Sequence, residues 1–504
     1  MSEKTPIFQR RTAGVLLHPT SLPCSESFWG QDAKNRFGTL GKDAYYFIDL
    51  LHSAGVTVWQ MLPTGPTQAD MSPYQSISAH AGNAELISLD WLIERGWIQR
   101  EFLHTTGTFD IARARAVCSS SFYSFLKTDI GTQVQKDFQN FCSHQRYWLD
   151  DFALFSVLRK HFNGQPWSDW PKEFRARDQS ALEKARVELK ADVDVILFEQ
   201  FVFFSQWHAL KDYANKKGIH LFGDIPIFVG HDSADVWAEQ HYFQLDVDGT
   251  PTTVAGVPPD YFSETGQHWG NPHYAWAVME ADGFKWWLAR LRTQLELFDL
   301  IRIDHFRGFE AYWEIPGGSH DARLGKWVKA PGEAFLKACV ETYPDLPLVA
   351  ENLGVITEEV EALRNMYDLP GMLVLQFGFD GNTNNPHLPH NHTRNDVIYT
   401  GTHDNDTTVG WWEGLNDACR KQVNEYCFNS ETKMPWLLIE VALASVGRMA
   451  IIPMQDFLEL DGRHRMNMPG TTDKNWVWTF SWDQVEPTLA DRIRQLLATY
   501  HRLG

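Results

Sequence analysis

Short apolar runs alternate with longer amphipathic stretches along most of the 504-residue chain. Eight of these runs end at polar, Gly or Pro positions, and their length and Val, Ile and Leu content suit parallel strands buried on both faces. They are GVLLHP from Gly14, VTVWQMLP from Val56, IHLFGDIPI from Ile219, LIRIDHF from Leu300, LPLVAEN from Leu346, GMLVLQFGF from Gly371, VIYTGTHDN from Val397 and MAIIPMQD from Met449. The pattern therefore predicts eight buried strands.

Stretches with helical periodicity lie between most of these runs. One precedes the second run and closes at Gly55, a residue suited to cap the C-terminus of a helix. Others cover 197–218, 332–343, 357–367 and 434–446. The alternation predicts an α/β protein, a (β/α)8 TIM barrel with long, largely helical insertions between barrel strands. A doubly wound open sheet is the weaker alternative, because no G-x-G-x-x-G follows the first strand.

The spacing of the strands is uneven. We interpret residues 1–504 as a single catalytic (β/α)8 barrel, since such barrels reach this length when they carry insertions. Residues 90–194 have helical periodicity and no run of the buried-strand type, which predicts a mostly helical insertion subdomain after the second strand. Residues 244–276 are rich in Gly, Pro, Asp and Thr, which predicts a loop region after the third strand.

Composition narrows the possible partners. The net charge of −19 argues against nucleic acid and anionic membranes, because both need a basic face. No apolar run approaches the roughly 18–20 residues that span a bilayer, and the N-terminus lacks the apolar core of a signal peptide. Six scattered cysteines without a C-x-x-C pair predict a cytoplasmic enzyme with reduced thiols. The 21 Trp and 32 Phe suit a neutral carbohydrate, although Trp411, Trp412, Trp476 and Trp478 are interpreted as packing residues.

Carboxylates follow five of the predicted strands, at the end where barrel enzymes carry their reactive groups. They are Asp224, Asp304, Glu351, Asp404 and Asp456. One Asp after a strand is often a helix cap, but burying several carboxylates at one mouth is costly unless they serve a site. Two carboxylates that flank a sugar bond are the equipment of glycoside chemistry.

Local context suggests different roles for these carboxylates. Arg302 lies two residues before Asp304 and shares its face of the strand, so it can hold Asp304 anionic for attack on carbon. Glu351 follows the apolar LPLVA, and desolvation there would raise its pKa and keep a proton for the leaving oxygen. Asp404, next to His403, is suited to bind ring hydroxyls or to polarise the transition state. A metal centre is disfavoured, because the possible ligands His18, His403, Asp224 and Asp404 form no H-x-H or H-E-x-x-H pattern. A Ser/His/Asp hydrolase is disfavoured, because no G-x-S-x-G is present.

Four stretches carry a family resemblance: GDIPIFVGHDSADVWA, LIRIDHFRGFEAYWEIP, VAENLGVIT and YTGTHDNDTTVGWW. In this order they resemble the signature regions of glycoside hydrolase family 77, the 4-α-glucanotransferase or amylomaltase family, and the likeness covers nearly the whole chain. It implies transfer of α-1,4-glucan segments from maltooligosaccharides, starch or glycogen to the 4-hydroxyl of glucose or another glucan. It also implies a retaining double displacement without metal or organic cofactor.

The resemblance also assigns residues. It implies a nucleophile at Asp304, an acid/base at Glu351 and a transition-state-stabilising carboxylate at Asp404. The substrate-binding residues that it implies are Tyr74, Asp224, Arg302 and His403 around the cleavage point, and Tyr261, Phe262, Gln267 and Trp269 on a mobile loop from Gly256 to Trp269 that covers the glucan. Asn352 stands where many relatives have Asp. Two alternatives stay open: an amylase-type hydrolase of the same glucans, and an inactive glucan-binding barrel, which would not require all three carboxylates.

Overall fold

The computed structural model describes residues 6–25, 37–99, 111–259, 264–428 and 430–504. Its strands are β1 (Thr12–Leu16), β2 (Val58–Gln60), β3 (His220–Pro226), β4 (Thr253–Val257), β5 (Gln267–Pro272), β6 (Leu300–Asp304), β7 (Ala311–Pro316), β8 (Lys326–Lys329), β9 (Leu348–Ala350), β10 (Gly371–Val374), β11 (Asp396–Tyr399) and β12 (Met449–Pro453). None of the helices within these ranges is long and apolar enough to cross a membrane.

Helices connect most of the strands. They are α1 (Lys42–Ala54), α2 (Leu89–Glu94), α3 (Ile111–Phe125), α4 (Thr132–His144), α5 (Arg146–His161), α6 (Lys172–Arg175), α7 (Gln179–Glu188), α8 (Lys190–Lys216), α9 (Ala234–Ala238), α10 (Trp276–Ala281), α11 (Lys285–Leu297), α12 (Gly332–Thr342), α13 (Glu358–Met366), α14 (Thr408–Gly414), α15 (Asp417–Tyr426), α16 (Trp436–Ala444), α17 (Met454–Phe457) and α18 (Leu489–Thr499). The predicted cap at Gly55 is confirmed: this residue adopts the left-handed conformation, and its N–H bonds the last carbonyls of α1.

Eight parallel strands form the central sheet in the order β10-β11-β12-β1-β2-β3-β6-β9. The two ends of this order meet, because the Ala350 N–H donates to the Pro370 carbonyl at 2.8 Å. Every residue of β1 and of β12 is buried, as expected for apolar strands covered on both faces. All eight predicted strands, and with them the barrel fold, are confirmed.

The segment after β3 differs from the prediction. Residues 244–276 contain β4 and β5, which pair antiparallel and belong to a second sheet in the order β5-β4-β7-β8. The β-branched Thr253, Val254 and Val257 favour a strand, but the Gly and Pro around them gave the segment the composition of a loop. Its role as a cover for the glucan stays a prediction.

Helices α2 to α8 occupy the chain between β2 and β3. The predicted boundary of the insertion at residue 194 falls inside α8, which runs from Lys190 to Lys216. α8 packs on α3, α4, α5 and α7, and the chain continues from it into β3. The division of this region into a subdomain therefore stays a prediction.

Arg502, near the C-terminus, joins the starts of β1 and β12. Its guanidinium is fully buried and donates to the carbonyls of Thr12, Leu443, Ser445, Gly447 and Arg448 at distances between 2.7 and 3.1 Å. Burial lowers the pKa of Arg502 to about 9. One side chain thus bonds five carbonyls at the amino end of the barrel; those of Arg448 and Leu443 also accept from the Thr12 N–H and from Arg11 Nη2, whereas, among the described residues, those of Ser445 and Gly447 depend on Arg502.

We expect Arg502→Leu to lower the free energy of unfolding by about 3–5 kcal/mol, because several buried carbonyls lose a donor. The measurement is urea denaturation followed by circular dichroism. Arg494→Leu is the matched control on α18, since this exposed arginine reaches the Ser53 carbonyl at 3.3 Å and should change stability by no more than about 0.5 kcal/mol. Equal midpoints for the two variants would contradict the assigned role of Arg502.

Candidate active site

The strand register places Asp304 and Glu351 side by side. β6 pairs with β9 so that Ile303 lies opposite Ala350, and the two carboxyl residues follow directly. Residues in register on neighbouring parallel strands face the same side, and such strands lie about 4.8 Å apart. The two carboxyl groups therefore flank one point at the carboxyl end of the barrel.

Arg302 bonds two carboxylates at once. Its Nη2 donates to Asp304 Oδ1 at 2.6 Å, and its Nη1 donates to Asp224 Oδ2 at 2.5 Å. Burial alone would lower the pKa of Arg302, but the two carboxylates raise it well above its usual value. The guanidinium is therefore a permanent cation, while 30% of the Asp304 side chain stays exposed and within reach of a ligand.

Glu351 is buried and bonded by two backbone N–H groups. Its Oε2 accepts from His305 and its Oε1 from Leu353, each at 2.7 Å. His305 has a φ of 56°, in the left-handed region that non-glycine residues rarely adopt, and its N–H thereby meets Glu351. Burial and then repulsion from Asp304 outweigh Arg302 and the two N–H donors, and they raise the pKa of Glu351 to about 7.

Asp224 and Tyr74 form the opposite wall. The Tyr74 hydroxyl donates its one proton to Asp224 Oδ2 at 2.7 Å. His403 Nε2, 2.9 Å away, therefore donates to the Tyr74 oxygen. The rings of Tyr74 and His403 stack with centroids 5.3 Å apart. Burial raises the pKa of Asp224, and the charge of Arg302 opposes this shift. Within the described part of the chain no group bonds Asp224 Oδ1, although it is buried.

Asp404 lies in a different environment from Glu351. About half of its side chain is exposed, its Oδ2 is 3.3 Å from His403 Nε2, and its Oδ1 accepts from Asn467 Nδ2 at 2.5 Å. Partial burial acts to raise the pKa of Asp404. The charge interaction with His403 and the hydrogen bonds from His403 and Asn467 outweigh it and hold this pKa well below the usual range. Asp404 is thus a fixed anion beside a protonatable Glu351.

The structure brings seven of the predicted site residues together at the barrel mouth: Tyr74, Asp224, Arg302, Asp304, Glu351, His403 and Asp404. Trp269 borders them, with its ring edge-on to His305 at a centroid distance of 4.9 Å. Gln267 is exposed and accepts from Trp269 Nε1 at 3.1 Å, so it reaches this group through the tryptophan. Tyr261 and Phe262 lie outside the described residues.

Asp456 does not join this group, although it also follows a barrel strand. Its carboxylate accepts from the hydroxyls of Thr400 and Thr408 and from the Thr408 N–H, so it fixes the start of α14. Trp476, interpreted as a packing residue, packs partly against the core and also borders the site, 5.9 Å from the Tyr74 ring and 6.0 Å from the His403 ring.

Asn467 was missed by the sequence reasoning. It lies in RMNMPGT, where an amide between two methionines is the only local signal. Its partner Asp404 is 63 positions away, so no local pattern links them. In the described ranges, no three His, Cys, Asp or Glu side chains are arranged to hold a metal ion.

A closed parallel barrel with paired carboxyl groups at its mouth is the arrangement of barrel enzymes that act on glycosidic bonds. The family model described as 4-alpha-glucanotransferase matches residues 17–484. The chain belongs to this family, glycoside hydrolase family 77.

Relatives from distant organisms resemble the chain over its length. It is 45% identical to a 4-alpha-glucanotransferase of Thermus thermophilus over 98% of this chain and 99% of that protein. It is 42% identical to a chloroplastic/amyloplastic 4-alpha-glucanotransferase of Solanum tuberosum over 98% and 87%. Amylomaltase from Streptococcus agalactiae, solved in complex with acarbose, superposes with a TM-score of 0.90 at 35% identity and covers 98% of this chain and 100% of that one.

The raised pKa of Glu351 makes folding depend on pH. Between about pH 4.5 and 7 the folded state holds a proton on Glu351 that the unfolded state has lost, so this residue's contribution to stability falls as the pH rises. The glutamine of Glu351→Gln does not titrate, so the variant lacks this contribution to the pH dependence of stability. We expect the stability of the variant, relative to the parent protein, to rise by up to about 3 kcal/mol from pH 4.5 to 7.5.

Urea denaturation at several pH values measures this difference. Glu358→Gln, at an exposed position on α13, is the control and should give a difference that does not change with pH. If the difference between Glu351→Gln and the parent is equally flat, then Glu351 does not have a raised pKa.

Proposed function

We propose that this chain is a retaining 4-α-glucanotransferase, which moves segments of α-1,4-glucan from a donor to the 4-hydroxyl of glucose or of another glucan. The register of β6 and β9 is the observation that carries the proposal, because it places Asp304 and Glu351 on adjacent strands. Neighbouring parallel strands lie about 4.8 Å apart, so this placement suits the close carboxyl pair of retaining enzymes, roughly 5–5.5 Å apart, better than the roughly 6.5–9.5 Å pair of inverting ones.

In the first step Asp304 attacks the anomeric carbon while Glu351 gives its proton to the departing glycosidic oxygen. The glycosidic C–O bond breaks and an ester between the sugar and Asp304 forms. Arg302 holds one oxygen of Asp304, and the attack uses the other. The anionic Asp404 stabilises the positive charge that develops on the sugar ring.

In the second step Glu351 acts as a base. The charge of Asp304 contributes to the raised pKa of Glu351, and ester formation removes that charge. The pKa of Glu351 therefore falls at the stage where it must accept a proton. The acceptor 4-hydroxyl loses its proton to Glu351, attacks the anomeric carbon and releases Asp304, so two displacements retain the configuration.

The other residues around the cleavage point bind the substrate in this scheme. Asp224 offers its buried Oδ1 to a ring hydroxyl, and Tyr74 and His403 hold the adjacent wall. Trp269 gives an aromatic face next to the nucleophile, with Gln267 beside it. The family resemblance adds Tyr261 and Phe262 to these substrate-binding residues.

An amylase-type hydrolase would use the same three carboxylates, so access of water decides between the two activities. Transfer is favoured by relatives named 4-alpha-glucanotransferase that match nearly the full chain. A catalytically inactive glucan-binding barrel is disfavoured, since binding alone gives no reason to pair a fixed anion with a protonatable Glu351. We also propose a reducing compartment, the cytoplasm, because Cys118 and Cys339 are buried free thiols.

Products formed from maltotriose over time test this function. We expect glucose and longer oligomers with little gain in reducing ends, because transfer conserves their number. Asp304→Asn removes the anionic nucleophile with little change of shape, so turnover should fall by about 10⁴-fold or more while maltotriose binding, measured by calorimetry, persists. Asp212→Asn, exposed on α8, is the matched control and should keep full activity.

Each other outcome has a defined meaning. A net gain of reducing ends equal to the bonds broken would identify a hydrolase, and no products at all would indicate an inactive barrel. Near-normal turnover by Asp304→Asn, with contaminating enzyme excluded, would contradict its assignment as the nucleophile.

A further prediction concerns the cover. Water outnumbers any acceptor sugar, so transfer requires a site that excludes water and orients the acceptor, which can be worth an effective molarity on the order of 10⁵ M. Removing aromatic cover with Phe262→Ala or Tyr261→Ala should therefore raise hydrolysis relative to transfer. Reducing ends report hydrolysis and longer oligomers report transfer. Tyr46→Ala, an exposed tyrosine on α1, is the control, and an unchanged ratio in both loop variants would refute the protective role.

A further inference from the structure

Arg302 has a further partner besides its two carboxylates and the Tyr74 hydroxyl, which lies 3.4 Å from its Nη1. Its Nε donates to the thioether sulfur of Met372 at 3.3 Å, and both side chains are buried. A thioether is a weak acceptor, yet a buried donor left without any acceptor is destabilising. Because the guanidinium is planar, a fixed Nε direction also fixes where its two terminal nitrogens point. Those nitrogens bond Asp224 and Asp304.

Met372 is itself fixed by a side chain of the neighbouring strand segment. Its N–H donates to Asn352 Oδ1 at 2.8 Å, and Asn352 Nδ2 donates to Glu361 Oε1 at 2.7 Å. The other oxygen of Glu361 accepts from Arg364 at 2.6 Å. Because β9 ends at Ala350, the Asn352 amide continues the bonding to β10 where the backbone ladder has stopped. An aspartate at position 352 would instead set a carboxylate against Glu361.

We propose that Met372 is a positioning residue for glycosyl transfer, whose sulfur orients the Arg302 guanidinium toward Asp304 while Asn352 holds Met372 in place. The proposal rests on the proposed roles of Asp304 and Glu351. Met372 acts through Arg302, so its effect should appear in the chemical step rather than in glucan binding. A purely packing role would need only a buried apolar side chain of similar volume.

Displacement of Arg302 has a signature in the pH profile. The charge of Arg302 lowers the pKa of Glu351, against the larger effects of burial and Asp304. A guanidinium that turns away would let this pKa rise. Since Glu351 must carry a proton in the first step, the alkaline limb of kcat/KM should then move to higher pH. Loss of packing alone would leave the limb where it is.

Three variants separate the acceptor from the packing. Met372→Leu removes the sulfur and keeps an apolar side chain, whereas Met372→Gln supplies an amide oxygen at similar length. Met449→Leu is the matched control, because Met449 is equally buried in β12 but lies at the amino end of the barrel, in register with Thr12. The measurements are kcat, KM and the pH profile of maltotriose disproportionation.

We expect Met372→Leu to lower kcat about 10- to 100-fold with KM within about twofold of the parent, and to move the alkaline limb upward. Met372→Gln should recover most of kcat and return the alkaline limb of the pH profile to its position in the parent. Met449→Leu should match the parent in both measurements. If Met372→Leu keeps the parental kcat and pH profile, or if Leu and Gln lose equally with an unmoved limb, the positioning role is overturned.

Asn352 gives an independent test should Met372→Leu fold poorly. Asn352→Asp should lower kcat and raise the alkaline limb, and the double variant Asn352→Asp with Glu361→Gln should restore both, because the glutamine amide can donate to the new carboxylate. No loss in the single variant, or no rescue in the double, would overturn the link. If the parent itself makes no longer oligomers from maltotriose, the proposed function and this inference fall together, whereas an active parent with unaffected variants overturns the inference alone.

Discussion

The site depends on one buried cation. The register of β3 and β6 places Arg302 directly opposite Asp224, and Asp304 follows two residues later on the same face. Three carboxyl groups at one barrel mouth would repel one another and could not be desolvated together without a positive charge among them. The Arg302 fork meets this need with two short hydrogen bonds, and Glu351 receives only its longer-range charge.

That asymmetry separates the roles of the carboxyl groups. Asp304 is bonded by the guanidinium, and Asp404 is held anionic by His403 and Asn467, whereas Glu351 is bonded by backbone N–H groups that carry no net charge. Pairs of carboxyl groups whose surroundings drive their pKa values apart are the physical basis of acid and nucleophile assignments. All three carboxyl groups lie at one barrel mouth, so the difference between the pKa values of Glu351 and Asp404 arises from the neighbours that each one has at its own strand end.

The sequence predicts those features of the fold and the site that depend on residues close together in the chain. The eight apolar runs gave the strands, the two-residue spacing of Arg302 and Asp304 gave their contact, and the apolar LPLVA before Glu351 gave the direction of its pKa shift. Asp456 has the same local pattern as the site carboxylates, and only the tertiary placement of two threonines assigns it elsewhere. The contacts of Asp404 with Asn467 and of Arg302 with Met372 join distant segments, and β4 and β5 need each other to form a strand pair.

The position of Glu351 at a strand end follows from which backbone N–H groups are free to bond a side chain. Within β6 and β9 the backbone N–H groups are used by the ladders, so they are not available to a side chain. His305 and Leu353 follow the last residues of these strands, where the ladders have stopped, and their N–H groups bond the Glu351 carboxyl instead. Backbone donors for the site therefore occur just beyond the strand ends. Beyond the end of β9, the side chain of Asn352 accepts from the Met372 N–H of β10 in place of a backbone carbonyl. The backbone and side-chain groups just beyond the strand ends thus both position Glu351 and connect β9 to β10.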